Sequence, residues 1–194
     1  FQPHTARLED APLSKAAWVR RHTGGAAIMH HRELTYSLAL PAGAPWHDSE
    51  SWLCRMHHTI AKALLDFGVT ARAVICGEEK KLGEFLCFLH QTPSDLTVEG
   101  HKIAGSAQRR PHAALLQHGS LLLARSELAP ILPGIADLTN TTISVADMAE
   151  AILSTLKQET GWEFSPDDWS DNERRTQQEI LHEKYGTREW NEKR

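Results

Sequence analysis

Lys102 lies between Gly100 and Gly105 in "TVEGHKIAGSAQRRPHAALLQHGSLLL", residues 97–123, a stretch that otherwise reads as a β-hairpin. A lysine where a hairpin's inner face should be apolar admits two readings. It is a solvated turn residue, or it faces a ligand that the flanking glycines allow close to the backbone. Cys87, in "EFLCFLHQTPSD", stands just before this hairpin. A lysine ammonium beside it would favour the thiolate, which is the nucleophilic form of the side chain. A third stretch, "RRHTGGAAIMHH" at residues 20–31, combines two arginines, a Gly24-Gly25 pair and His30. Adjacent glycines can point successive N–H groups at one acceptor, and Arg20 or Arg21 could add a guanidinium for a carboxylate or phosphate. The same residues also make an ordinary tight turn with solvated arginines.

Other chemistries are poorly served. The stretch is neither a P-loop, since no GK[ST] follows, nor GxGxxG, and HExxH does not occur. The twelve histidines are plentiful but badly spaced for a metal. His30-His31 and His57-His58 are neighbours whose side chains diverge, and His57 and His58 are expected on the surface of a helix. Of the three cysteines, Cys54 is expected to be structural and Cys76 a small buried hydrophobe, with no CxxC pair among them.

The elements that must carry these residues follow from periodicity. Trp18–Arg21 and Ala26–Met29 read as short strand pieces, and Leu34–Leu40 alternates as a strand. Trp52, Leu53, Met56, Ile60, Leu64 and Phe67 share one face of a helix over Glu50–Phe67, ended by Gly68. Ala71–Ile75 reads as a strand, while Cys76–Gln91 shows no assignable period beyond the exposed loop "GEEKKLGE". Leu96–Val98, Ile103–Arg110 and Ala113–Leu123 form consecutive antiparallel strands, turning at Glu99-Gly100 and Arg110–His112. Glu127–Leu132 reads as a helical turn. A helix over Val145–Thr160 has Ser144 as N-cap and Gly161 as its stop. "SDNE" at Ser170–Glu173 is a capping box for a charged helix ending at Tyr185. The sum is α+β, a mixed or antiparallel sheet with flanking helices. At 194 residues, 41% hydrophobic and net charge −4, the chain suits one domain of about 1–165 with a helical tail over 166–194. The charge argues against nucleic acid, no apolar run approaches the roughly eighteen residues of a membrane span, and no signal peptide is evident. A cytoplasmic, monomeric protein is expected.

Taken together, these stretches resemble the lipoate-protein ligase and octanoyltransferase family, the biotin/lipoate protein ligase-like catalytic domain. The resemblance lies in RRxTGGxAxxH (Arg20, Arg21, Thr23, Gly24, Gly25, Ala27, His30) and in GxKIAGSAQ (Gly100, Lys102 to Gln108). It continues in LQHGS at Leu116–Ser120 and in the tail "KYGTREWN" at 184–191. It implies that Lys102 points into an acyl pocket near the acyl carbonyl. Arg21, Gly24, Gly25, Ala27, His30, Gly105, Ser106, Ala107 and His118 are then the substrate-binding residues. It also implies a helix and first strand preceding Phe1. Where Ala26 and His31 stand, the family more often has glycine or arginine and aspartate, differences that bear on the head-group site.

The family divides by chemistry. One octanoyltransferase branch uses a cysteine just before the lysine hairpin, and Cys87-Phe88 and "ELTYS" at Glu33–Ser37 resemble it. That branch implies a thioester on Cys87, octanoyl-acyl carrier protein as donor and no cofactor. Its acceptors are lipoyl-carrier domains, such as glycine-cleavage H protein or 2-oxoacid dehydrogenase E2. The alternative is an ATP-dependent lipoate-protein ligase working through lipoyl-AMP with Mg²⁺, in which Lys102 alone is catalytic. A third is a non-catalytic acyl or carrier-domain binder.

Overall fold

A computed structural model describes residues 5, 12–22, 25–41, 51–110, 112 and 114–192. Gly24 and the far side of the Pro41–Pro45 strand end lie outside them. Five antiparallel strands form the main sheet in the order β1-β7-β6-β5-β2: β1 Glu33–Leu40, β2 Arg72–Ala73, β5 Leu96–Val98, β6 His101–Arg109 and β7 Leu115–Leu122. β3 (Lys80–Lys81) and β4 (His90–Gln91) make a separate two-stranded ribbon. The turn between β5 and β6 places Glu99 at φ 49° and Gly100 at φ 76°, the paired left-handed geometry that matches the twist of a tight hairpin.

Helices cover one face. Helix α1, Trp52–Leu65, starts at Ser51, whose hydroxyl accepts the Cys54 N–H. Helix α3, Val145–Thr160, starts at Ser144 and stops at Gly161 with φ 71°. They pack on each other and on the sheet, burying Met56, Ile60, Leu64, Met148, Ile152 and Leu156 against Leu34, Ile103, Ala104 and Leu121. Each such aliphatic side chain contributes about 1.5–3 kcal/mol by leaving water. The opposite face carries a smaller cluster of Leu13, Leu86, Phe88, Leu122, Ala129 and Leu132.

Several expectations need correction. Trp18–Arg21 is not a strand, and Ala26–Met29 contributes one isolated parallel bridge, Ala27 to Leu86. Ala71–Ile75 shortens to β2. Glu127–Leu132 is a run of turns, and the helix in this region is α2, Ile135–Thr139, with the Asp137 carboxylate accepting the Gly134 N–H. The tail splits into α4 (Asp171–Ile180), a π-turn over Leu181–Tyr185 and α5 (Arg188–Asn191). Its capping box is present, with Ser170 accepting from the Glu173 N–H and the Glu173 carboxylate accepting from Ser170.

Candidate active site

The sheet register separates two faces. Strands β6 and β7 pair Gly105 with Ser120, Ser106 with Gly119 and Ala107 with His118, so alternate residues point to opposite sides. A bulge breaks this alternation. Leu96 faces Ala104 and Thr97 faces Lys102, which leaves Ile103 as an extra residue on β6. Ile103 and Ala104 therefore both enter the helix-side core, and Lys102 turns to the other face with Gly105, Ala107, His118 and Ser120.

On that face Lys102 is buried rather than solvated. Its Nζ lies 2.7 Å from Asp95 Oδ2, with both side chains 5–6% exposed. It also donates to the His90 carbonyl at 3.0 Å and sits 5.4 Å above the Phe88 ring. The Asp95 carboxylate is completed by the Thr92 N–H at 2.8 Å and the Thr92 hydroxyl at 2.9 Å. Of the three ammonium donors, two are thus engaged by Asp95 and the His90 carbonyl within the described residues. The glycines acquire different reasons from those expected. Gly100 serves its turn. Gly105 makes room for the lysine itself, because a Cβ there would stand 2.6 Å from Lys102 Cε and 2.9 Å from Nζ.

Cys87 reaches this neighbourhood through backbone pairing. The Ala27 N–H donates to the Phe85 carbonyl at 2.9 Å, and the Cys87 N–H donates to the Ala27 carbonyl at 2.8 Å. Cys87 then opens a 3₁₀ turn, Cys87–Leu89, that packs on β6 and presents Phe88 to Lys102. Arg21 crosses Gly25, which has φ 99°, and donates to the Ala26 carbonyl at 3.0 Å. A Cβ on Gly25 would fall 2.3 Å from Arg21 Nη2. Burial pushes the Arg21 pKa down, opposed by attraction to Cys87. His118 is pushed down by burial and then by the charges of Arg21 and His30. His30 is pushed up by its 2.5 Å bond to Glu33 Oε1. Glu33, 4% exposed, also accepts from the Thr35 hydroxyl at 2.7 Å, while its Oε2 has no hydrogen-bond partner. Arg21, Gly25, Ala27, His30, Cys87, Lys102, Gly105, Ala107 and His118 therefore converge on one side of the sheet. Among the described residues no group of three His, Cys, Asp or Glu side chains could hold a metal ion.

Ser106 does not join them. It points to the helix face, where its hydroxyl donates to His57 Nε2 at 2.6 Å and accepts from the Tyr36 hydroxyl. Ser106, expected among the substrate-binding residues, lies on the face opposite Gly105 and Lys102 because the pleat alternates between Gly105 and Ser106. His57 is likewise not a surface residue but 1% exposed, donating from Nδ1 to the Ser94 carbonyl at 2.5 Å. The polar chain continues through Gln117 Nε2–H to the Tyr36 oxygen at 3.2 Å and Gln108 Nε2–H to Gln117 Oε1 at 2.8 Å. A carbonyl only accepts, so Nδ1 must carry the proton and Nε2 must accept, and burial favours that neutral form. The spacing Leu53–His57–Ile60–Leu64 was the signal that put His57 on the apolar face. Cys76 is exposed, not buried, because β2 ends at Ala73. It lines a helix-side groove of about 330 Å³ with Cys54, His57, His58 and Ser94.

The chain belongs to the family of the lipoyl protein ligase A/B catalytic domain, whose model matches residues 4–171. It is an enzyme of protein lipoylation, of the octanoyltransferase and lipoate ligase kind. Octanoyltransferase LipM of Brevibacillus brevis is 30% identical over 218 residues, spanning 96% of this chain and 78% of that protein. Two solved structures share the fold. A T. acidophilum protein with bound lipoic acid has TM-score 0.73 and 20% identity, covering 95% of this chain and 75% of its own. Lipoate-protein ligase A bound with ATP has TM-score 0.70 and 19% identity, covering 94% of this chain and 74% of its own. No helix among the described residues is long and apolar enough to cross a membrane.

Proposed function

We propose that this enzyme moves an octanoyl group from acyl carrier protein to a lysine of a lipoyl-carrier domain through a thioester on Cys87. One observation supports the reading: the Cys87 N–H donates to the Ala27 carbonyl, next to the Ala26 carbonyl that the Arg21 guanidinium holds, and the following residue, Phe88, packs against the buried Lys102 ammonium. A lipoyl-AMP chemistry has no use for that cysteine. The 30% identity to an octanoyltransferase supports the same choice.

In the first step the Cys87 thiolate attacks the donor thioester carbonyl. The free N–H of Lys102 stabilises the oxyanion, the C–S bond to the carrier breaks, and the carrier thiolate takes up a proton. In the second step the acceptor lysine, as the free amine, attacks the Cys87 thioester. The amide C–N bond forms, Cys87 leaves as thiolate, and the amine's surplus proton passes to solvent. Thioester exchanged for amide needs no ATP or metal. Arg21 stabilises negative charge on Sγ before the first step and again as Cys87 leaves in the second, while Gly25, Ala27 and Ala107 offer small surfaces beside which a linear chain can lie.

The ligase alternative is separated by one variant. Cys87→Ser should lose transfer from octanoyl-acyl carrier protein by about a hundredfold or more, since a serine without an adjacent base is a poor nucleophile. Full lipoylation by Cys87→Ser with lipoate, ATP and Mg²⁺ would assign the ligase activity instead. The carrier-domain acceptors and the acyl carrier protein donor stand or fall with the same assay.

A further inference from the structure

Arg20 is in coil, yet its backbone is not left to water. Its N–H donates to Asn191 Oδ1 at 2.8 Å and its carbonyl accepts the Trp190 indole N–H at 2.7 Å. Two side chains from the far end of the chain thus replace the neighbouring strand that a β-like segment would otherwise need. The same contact is reinforced. Arg20 Nε donates to the Asn191 carbonyl at 3.3 Å, and the His22 ring stacks on Trp190 at 5.9 Å and 10°. Lys184 Nζ stands 4.3 Å over the Trp190 ring. Asn191 is itself fixed by donating Nδ2–H to the Tyr185 carbonyl at 2.8 Å, and Thr187 caps α5 by accepting the Trp190 N–H at 3.2 Å.

Between the two clamped residues lies Arg21. The tail holds the Arg20 backbone on one side of it and stacks on the His22 ring on the other, and the Arg21 guanidinium spans Gly25 to reach the Ala26 carbonyl. Helix α4, which joins this clamp to the rest of the chain, buries none of its residues. The tail's structural purpose is therefore concentrated at its end.

We propose that segment 184–191 is part of the acyl-transfer site, with Trp190 and Asn191 as positioning residues that hold Arg21 at the Ala26 carbonyl, next to the Ala27–Cys87 backbone bond. The inference deepens the reading of Cys87 as the acyl-bearing nucleophile and rests on it for its catalytic meaning. The placement of Arg21 can be tested without any acyl donor. Trp190→Phe keeps the ring and removes only its N–H; Asn191→Ala removes both amide contacts.

Carbamidomethylation of Cys87 by iodoacetamide at neutral pH, followed by peptide mass spectrometry in the full chain, reads whether moving the guanidinium changes the reactivity of Cys87. Cys54 and Cys76 serve as internal references. Loss of one positioning hydrogen bond should slow Cys87 alkylation by about fivefold in either variant while leaving both references unchanged. In an Arg21→Gln background the same substitutions should add nothing, because they act through Arg21. Faster alkylation of Cys87 would mean that the tail merely shields the site, and effects that multiply with Arg21→Gln would mean independent action. Either result overturns the proposal. Should Asn191→Ala fail to fold, Trp190→Phe decides alone. Absence of an octanoyl adduct on Cys87 of the unsubstituted protein would refute the transferase reading and leave this result standing.

Discussion

Replacing Asp95 with alanine should cost more stability than any other single change at the site. The carboxylate is 6% exposed and lies 2.7 Å from the Lys102 ammonium, which is 5% exposed. Its removal deletes the pair and the two Thr92 bonds, and leaves a buried cation facing only the His90 carbonyl and the Phe88 ring. Breaking a buried pair by removing one partner costs about 3–5 kcal/mol, against a total stability of about 5–15 kcal/mol. Lys102→Met should cost less, about 2 kcal/mol, since Asp95 keeps both Thr92 donors to offset its charge. The double variant Asp95→Ala/Lys102→Met should recover about 1–3 kcal/mol relative to the sum, as expected for residues in direct contact. Urea denaturation at neutral pH with unchanged m-values gives all four corners of the cycle. A loss below about 1 kcal/mol in Asp95→Ala, or strict additivity, would show that the pair is not the buried one described.

Three further outcomes follow from the geometry. His57 has its pKa pushed down, first by burial, partly opposed by its bond to the Ser94 carbonyl and by Asp95, and reinforced by Lys102 and His58. Its contribution to stability is then complete above the unfolded value of about 6.5 and is lost as pH falls through the folded one, so His57→Phe should flatten the acid limb of a stability–pH profile. Gly105→Ala should leave the fold largely intact but displace Lys102 Nζ, the flexible end of a side chain 2.9 Å from the new Cβ. Transfer should drop by about tenfold or more, and the thermal midpoint should fall as the buried Lys102–Asp95 pair is strained; unchanged transfer would remove Lys102 from the mechanism. His30 is raised by its hydrogen bond to Glu33, so Glu33→Gln should move its NMR titration downward, and an unmoved titration would discount the pair.

Strands β1, β6 and β7 and helices α1 and α3 were legible because alternation, 3.6-residue periodicity and serine caps all agree over eight or more residues. The short elements were not. β2, β3 and β4 have two residues each, too few to show a period, and the Ala27–Leu86 bridge is a single contact made across the chain. At the site, residue types identified Cys87 and Lys102, but not which way their neighbours point. One extra residue at Ile103 decides that Lys102 shares a face with Gly105 while Ser106 goes to His57. A bulge leaves no pattern in composition. Asp95 was hidden for a related reason: it looks like a turn residue in "TPSD", and only the folded register brings it to the lysine. Trp190 and Asn191 contact Arg20 from 170 and 171 residues away, a pairing that no local signal carries.

Acylation of Cys87 is decided by an intact-mass spectrum of the protein mixed with octanoyl-acyl carrier protein. One octanoyl adduct, mapped to Cys87 by peptide sequencing, is expected. The adduct should be released by hydroxylamine, absent in Cys87→Ser, and discharged when a lipoyl-carrier domain is added. An unmodified enzyme that nevertheless acylates the carrier domain, or an adduct on Cys54 or Cys76, would contradict it.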